Sequence, residues 1–178
     1  MSFDYSLDFE KINFRKNPEL YRVGKGEQGV LLVQPYKSEI LPYWRFKTPE
    51  IAKKSANKIY ELYQEYKRAN DLVGMDMARK YLQMGWTRSR RYANRKSGKK
   101  YDGPVPSDKK GQSGSHGRNV LPLDPDPIKA QSAQIFYEKY RKVMEDPLYI
   151  SAKKAFLEKY TRNLSKYPGA ASRARVNI

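Results

Sequence analysis

The sequence contains no cysteine and a single histidine, His116. Disulfides, thiolate zinc sites and a cysteine nucleophile are therefore excluded, and one imidazole leaves no histidine-based metal cluster. The expected cofactor set is none. No stretch approaches the roughly 18 consecutive apolar residues of a membrane span. The start of the chain, MSFDYSLDFEK, has neither a basic n-region nor an apolar h-region, so it does not read as a secretory signal. Together these absences set the expectation of a cytoplasmic protein with no membrane partner. Apolar residues are also scarce, at 39% with a mean hydropathy of -0.90, below the usual globular share. Fifteen tyrosines partly compensate, since a ring buries much area while its hydroxyl stays hydrated.

Basic charge is abundant instead. Lys and Arg number 36 against 19 Asp and Glu, a formal net charge of +17 and a pI near 9.9. Such an excess favours an acidic partner: nucleic acid, a membrane surface or an acidic protein. The excess is concentrated. Between Trp86 and Arg118 ten basic residues stand against Asp102 and Asp108, so this stretch carries about +8 of the +17. Trp86, Tyr92 and Tyr101, with the amides of Gln83 and Asn94, are interleaved among the cations. Concentrated charge with planar and hydrogen-bonding groups between suits a polymer of phosphates and bases.

Hydrophobic spacing divides the chain. Tyr21 and Val23 lie before, and Val30 to Val33 after, the glycine-rich GKGEQG of residues 24–29, which predicts a hairpin turn between two short strands. Trp44 to Lys47 would add a third. Thr48 as N-cap, Pro49 at the first helical position and Glu50 in the first turn predict a helix over 49–68, with Ile51, Ser55, Ile59, Leu62 and Tyr66 on its apolar stripe. Asn70 or Asp71 caps a second helix over 72–84, expected to bend near Gly85. Beyond it, Arg88, Arg91 and Arg95 at i, i+3 and i+7 would share one helical face. Residues 97–127, broken by five glycines and five prolines, read as a long loop. Asp126-Pro127 and Asp146-Pro147 open a helical hairpin, and 168–178 read as a basic tail.

Arg88, Arg90, Arg91, Arg95 and Lys96 offer forks and charges for phosphates, against the plainer alternative of a solvated helix end. Adjacent Arg90 and Arg91 point roughly 100° apart on a helix and cannot share one groove. GKGEQG matches GxGxxG literally, yet it lies between strands rather than before a helix, so a dinucleotide site is disfavoured. Glu27 and Glu39 are weak acid/base candidates with no partner at diagnostic spacing, and among arginines a glutamate is more often an ion-pair residue. His116, flanked by Gly114 and Gly117, reads as an exposed loop residue.

Two strings, NPELYRVGKGEQGVLLVQPYKSEILPYWRFKTPEIAKKSA (17–56) and DMARKYLQMGWTRSRRYANRKSGKKYDGPVPSDKKGQSGSHGR (76–118), resemble a family known as domain of unknown function 4385. The resemblance runs from about Phe3 to Tyr149 and implies a bacterial or large-phage origin and a single compact unit that includes the long loop. It carries no activity. The expected architecture is α+β, one domain over 1–167 with a small N-terminal antiparallel sheet packed on about four helices. The expected function is nucleic-acid binding, to DNA or RNA, through the 79–118 region. Arg79, Lys80, Arg88, Arg91, Arg95, Lys99 and Lys100 would supply charge, Trp86, Tyr92 and Tyr101 stacking, and Asn94 a base or sugar contact. No residue is assigned a catalytic role. The alternatives are an enzyme on a phosphorylated or nucleotide substrate, or an accessory factor, phage-encoded included, docking on an acidic protein assembly. A deep pocket joining Glu39, Arg91 and the 103–118 loop would favour the enzyme.

Overall fold

Five α-helices carry the architecture of the computed structural model, which describes residues 3–109 and 114–166 (side chains of the last helix through residue 160). They are α1 (Tyr36–Ile40), α2 (Pro49–Arg68), α3 (Leu72–Asn94), α4 (Pro127–Met144) and α5 (Pro147–Lys166). The expected tail at 168–178 lies outside the described residues. Local chemistry starts each long helix. Thr48 Oγ1 accepts from Ile51 N at 3.3 Å, Asp71 Oδ1 from Gly74 N at 2.9 Å, and Asp126 Oδ1 from Ile128 N and Lys129 N at 3.0 Å. Asp146 Oδ1 likewise accepts from Leu148 N at 3.0 Å. Each cap satisfies amides that the helix itself leaves unpaired. The expected helical hairpin after residue 126 is present.

The expected N-terminal sheet is not. Among the described residues there is no strand, only an isolated antiparallel bridge between Tyr101 and Val120 in the long loop. The run Val30–Val33 turns instead of extending: Leu32 N and Val33 N both donate to Gly29 O, at 3.0 and 3.3 Å, and Lys37 N donates to Val33 O at 2.9 Å, leading into α1. Its buried residues are Val30, Val33, Tyr36 and Ile40, spaced by three and four, while Leu31 is 44% exposed. That is helical spacing, and a strand would bury alternate residues. The glycine loop before it finds its partners on α3. Arg79 Nη1 donates to Gly26 O at 3.1 Å and Lys80 Nζ to Gln28 O at 2.6 Å. Residues 44–47 run against the start of α2, with Arg45 N on Ser55 Oγ at 3.0 Å. The fold is therefore helical rather than α+β.

α3 is the central element, packed on α1, α2, α4 and α5. From Leu72 to Leu82 every residue is buried, so this half has no solvent face; a helix apolar on all sides belongs inside. α3 runs unbroken through Gly85 to Asn94, ten residues past the expected end. Gly85 is a contact point and not a bend: a Cβ there would overlap the Phe136 ring of α4. Gly74 plays the same part against the Tyr66 ring of α2. On α2 the buried set is Ala52, Ser55, Ala56, Ile59, Tyr63 and Tyr66, while Ile51 is 38% exposed, so the expected stripe is rotated.

The core is rich in tyrosine, and five of its hydroxyls meet carboxylates. Tyr21 and Tyr149 donate to Asp76, Tyr36 to Asp71, Tyr63 to Asp146 and Tyr66 to Glu39. Hydrogen bonds to ionised groups contribute about 1.5–3 kcal/mol each, roughly twice a neutral one. The same arrangement commits much of the chain's scarce negative charge to the interior and the helix starts.

Candidate nucleic-acid interface

α3 carries two sets of cations with different surroundings. In its first half Asp76 is fully buried, as is Lys80 one turn further on, and Arg79 beside it is only 5% exposed. Arg79 Nε donates to Asp76 Oδ1 at 2.8 Å and Lys80 Nζ stands 3.6 Å from Asp76 Oδ2. Tyr149 Oη donates to Oδ1 at 2.6 Å, and Tyr21 Oη donates to Oδ2. Burial, the largest influence on Asp76, would raise its pKa, but Arg79, Lys80, Tyr149 and Tyr21 together outweigh it and hold the carboxyl well below the usual range. Burial also pushes the Lys80 ammonium down to about 8 against the opposing pull of Asp76. Arg79 further donates to Gln83 Oε1 at 2.7 Å. Arg79 and Lys80 were expected to contact phosphate, but they are enclosed and fully engaged with Asp76 and the glycine loop. A buried ion pair stripped of one partner costs about 3–5 kcal/mol, which makes these residues parts of the fold.

In the second half the helix rises out of the core on one side only. Ser89 and Ala93 face inward and are buried; Arg88, Arg90 and Arg91 are exposed. At 100° per residue the three guanidiniums fan over about 160° of the outer arc, with Arg91 in the middle. Lys96 and Lys99 follow, also exposed. Among the described residues, none of these five side chains has a salt bridge or hydrogen bond. Arg95 departs from the expected shared face. Its backbone is extended (φ −151°, ψ 128°) and its Nε donates to Leu121 O at 2.9 Å, anchoring the returning loop.

The described limbs of the long loop are tied to this end of α3. Asp102 N donates to Asn119 O and Leu121 N to Lys100 O, both at 2.9 Å, around the Tyr101–Val120 bridge. Asp124 N and Asp126 N then donate to Asn94 O and Ala93 O at 2.9 and 2.7 Å. Tyr101 is half-buried, with Lys100 Nζ 5.3 Å and Arg118 Cζ 5.0 Å from its ring centre. Trp86 is half-buried, packed against Tyr137 and Tyr140 of α4 at 4.7 and 5.7 Å between ring centres. Asn94 is half-buried, and its side chain makes no hydrogen bond among the described residues.

Tyr92 lines a cavity of about 500 Å³ together with Leu41, Trp44, Arg45, Phe46, Lys47, Ser89 and Lys129. Sequence spacing did not bring Trp44 and Phe46 to this site; the docking of residues 44–47 beside α3 does. The acidic candidates lie elsewhere. Glu39 accepts both Arg15 Nη atoms at 2.8 and 2.7 Å, and the guanidinium holds its carboxyl below the usual range. The cavity beside it, about 570 Å³, is lined by Arg15, Lys58, Tyr66 and Asp71 among others, and includes neither Arg91 nor the 103–118 loop. Glu27 Oε1 accepts from Thr87 Oγ1 at 2.5 Å, pinning the glycine loop to α3. His116 is half-buried, with a left-handed backbone (φ 48°). Among the described residues, no group of three or more His, Asp or Glu side chains is placed to hold a metal ion, and no helix is long and apolar enough to cross a membrane.

Fold and surface together define a small helical protein with a tyrosine-rich interior and a concentrated basic face. The chain belongs to the family described as domain of unknown function (DUF4385), whose model matches residues 4–159. No curated protein and no solved structure matches it.

Proposed function

We propose that the protein binds nucleic acid, with Arg88, Arg90, Arg91, Lys96 and Lys99 meeting phosphates and Lys100 beside them. The observation that carries this reading is that the first five cations are exposed and unpaired among the described residues, while nearby buried cations of the same helix are paired. Unpaired like charges repel and contribute nothing to the fold, so the arrangement suits an external polyanion. Arginine forks and lysine ammoniums are the groups that neutralise phosphates, and released counterions drive such binding. The fan of guanidiniums suits a backbone that follows the helix surface better than one rigid groove.

Protein purified without nuclease should show a raised ratio of absorbance at 260 to 280 nm that falls after a high-salt wash. A ratio unchanged by the wash, with no binding to added duplex or single strand at low salt, would reject this reading. The face would then be a docking surface for an acidic protein.

A further inference from the structure

The cavity lined by Trp44, Phe46, Ser89, Tyr92 and Lys129 is not explained by phosphate contacts alone. Its walls hold three aromatic rings, one aliphatic residue (Leu41) and three cations (Arg45, Lys47, Lys129), with no acid among the described residues. The rings form a chain, with Trp44 and Phe46 centres 5.0 Å apart and Phe46 and Tyr92 5.9 Å apart. Lys129 Nζ lies 5.4 Å from the Tyr92 ring centre, and Lys47 is exposed with no ion pair among the described residues. Arg45 is less available, since its Nη1 donates to Trp44 O at 2.7 Å. Two wall residues hold unused hydrogen-bonding groups: Trp44 Nε1 and Ser89 Oγ are buried with no partner among the described residues. Such groups are rare in a folded interior, and leaving one unmet costs about 1–3 kcal/mol.

We propose that this cavity is a nucleotide site, in which a planar base lies against the Trp44, Phe46 and Tyr92 rings and its phosphate meets Lys47 and Lys129. The volume falls within the range of small-molecule sites, about 300–1,000 Å³. Aromatic faces stack any base, and base edges carry the donors and acceptors that an indole N–H and a hydroxyl can use. A neutral apolar ligand would leave the cations without a counterpart, and a cationic one would be repelled by them. Asp126 already caps the first amides of α4, so the phosphate is held by side chains and not by that helix end. The proposal rests on the nucleic-acid reading and narrows it: a base reaches the cavity only when unstacked, so single strands are preferred to duplex.

The test uses the full chain, stripped at high salt. Its probes are adenosine monophosphate by calorimetry, and a short mixed-sequence single strand and its blunt duplex by fluorescence anisotropy. Tyr92→Leu should weaken single-strand binding about 5- to 150-fold, the range of one lost base stack, and leave duplex binding unchanged. Lys129→Gln, which removes a charge and no ring, should act in the same direction and guards against misfolding of the Tyr92 variant. Ser89→Ala should weaken the nucleotide while keeping or raising thermal stability; a purely structural serine would move stability alone. Tyr92→Leu reducing single-strand and duplex binding equally, with Ser89→Ala silent, would overturn the nucleotide site and leave the basic face standing. If neither strand form binds the wild type, the basic-face reading fails. Adenosine monophosphate heat abolished by Tyr92→Leu would then sustain a free-nucleotide site, and no heat would overturn it.

Discussion

Arg79 and Lys80 in the first half of α3, and Arg88, Arg90 and Arg91 in the second, are the same kinds of residue about two to three turns apart. The first pair is enclosed, salt-bridged to Asp76 and bonded to the carbonyls of the glycine loop. The other three reach solvent with no partner among the described residues. What separates them is a carboxylate at the right spacing. Asp76 stands three residues before Arg79 and four before Lys80, and no acid precedes Arg88, Arg90 or Arg91 at either spacing. On this helix residue type alone does not distinguish an enclosed cation from an exposed one; an acid one turn earlier does.

The largest effect should come from Asp76. Asp76→Asn leaves Arg79 and Lys80 buried without their countercharge and should cost about 3–5 kcal/mol in urea denaturation. Arg79→Gln should cost nearly as much, while Arg91→Gln should stay within about 0.5 kcal/mol of the wild type. Equal costs at Arg79 and Arg91 would break the contrast between the two halves of the helix.

Gly85 marks the passage from one half to the other. On propensity alone Gly85→Ala should gain up to about 1 kcal/mol. Because the new methyl would overlap Phe136, a loss of about 1–3 kcal/mol is expected instead, partly recovered by Phe136→Leu. A net gain from the single change would show that α4 does not press on α3 there.

Smaller and more diagnostic is the response to pH. With its folded pKa pushed down to about 8, Lys80 binds a proton more weakly in the folded than in the unfolded chain. Stability should therefore rise with pH from about 8 towards the ordinary lysine value near 10.4. Tyr21, Tyr36, Tyr63, Tyr66 and Tyr149 are shifted the other way, by burial first and then by neighbouring carboxylates. Above about pH 10 the unfolded chain loses phenolic protons that the folded chain keeps, so stability should fall. Lys80→Met should remove the rise and keep the fall. A wild-type curve flat from pH 8 to 10 would contradict the enclosed ammonium.

Helix starts were legible because their signals are local: Thr48-Pro49, Asp126-Pro127 and Asp146-Pro147 all open helices where expected. The N-terminal segment misled because four apolar residues in a row fit a strand or a turn, and glycines suggest a hairpin whether or not strands follow. The spacing of Val30, Val33, Tyr36 and Ile40 was the available clue. Burial of Arg79 and Lys80 was also readable, from Asp76 and from apolar residues on every side of Leu72–Leu82. The ring cluster of Trp44, Phe46 and Tyr92 was not, since only tertiary docking joins segments more than forty residues apart.

The most direct measurement is the salt dependence of single-strand binding for the wild type and for the combined Arg88→Gln, Arg90→Gln, Arg91→Gln variant. Five phosphate contacts at about −0.7 each predict a slope of log affinity against log salt near −3.5, made shallower by about 2 units in the variant, whose fold should be intact. A wild-type slope near zero, or the same slope in both proteins, would contradict the assignment of these cations to phosphate.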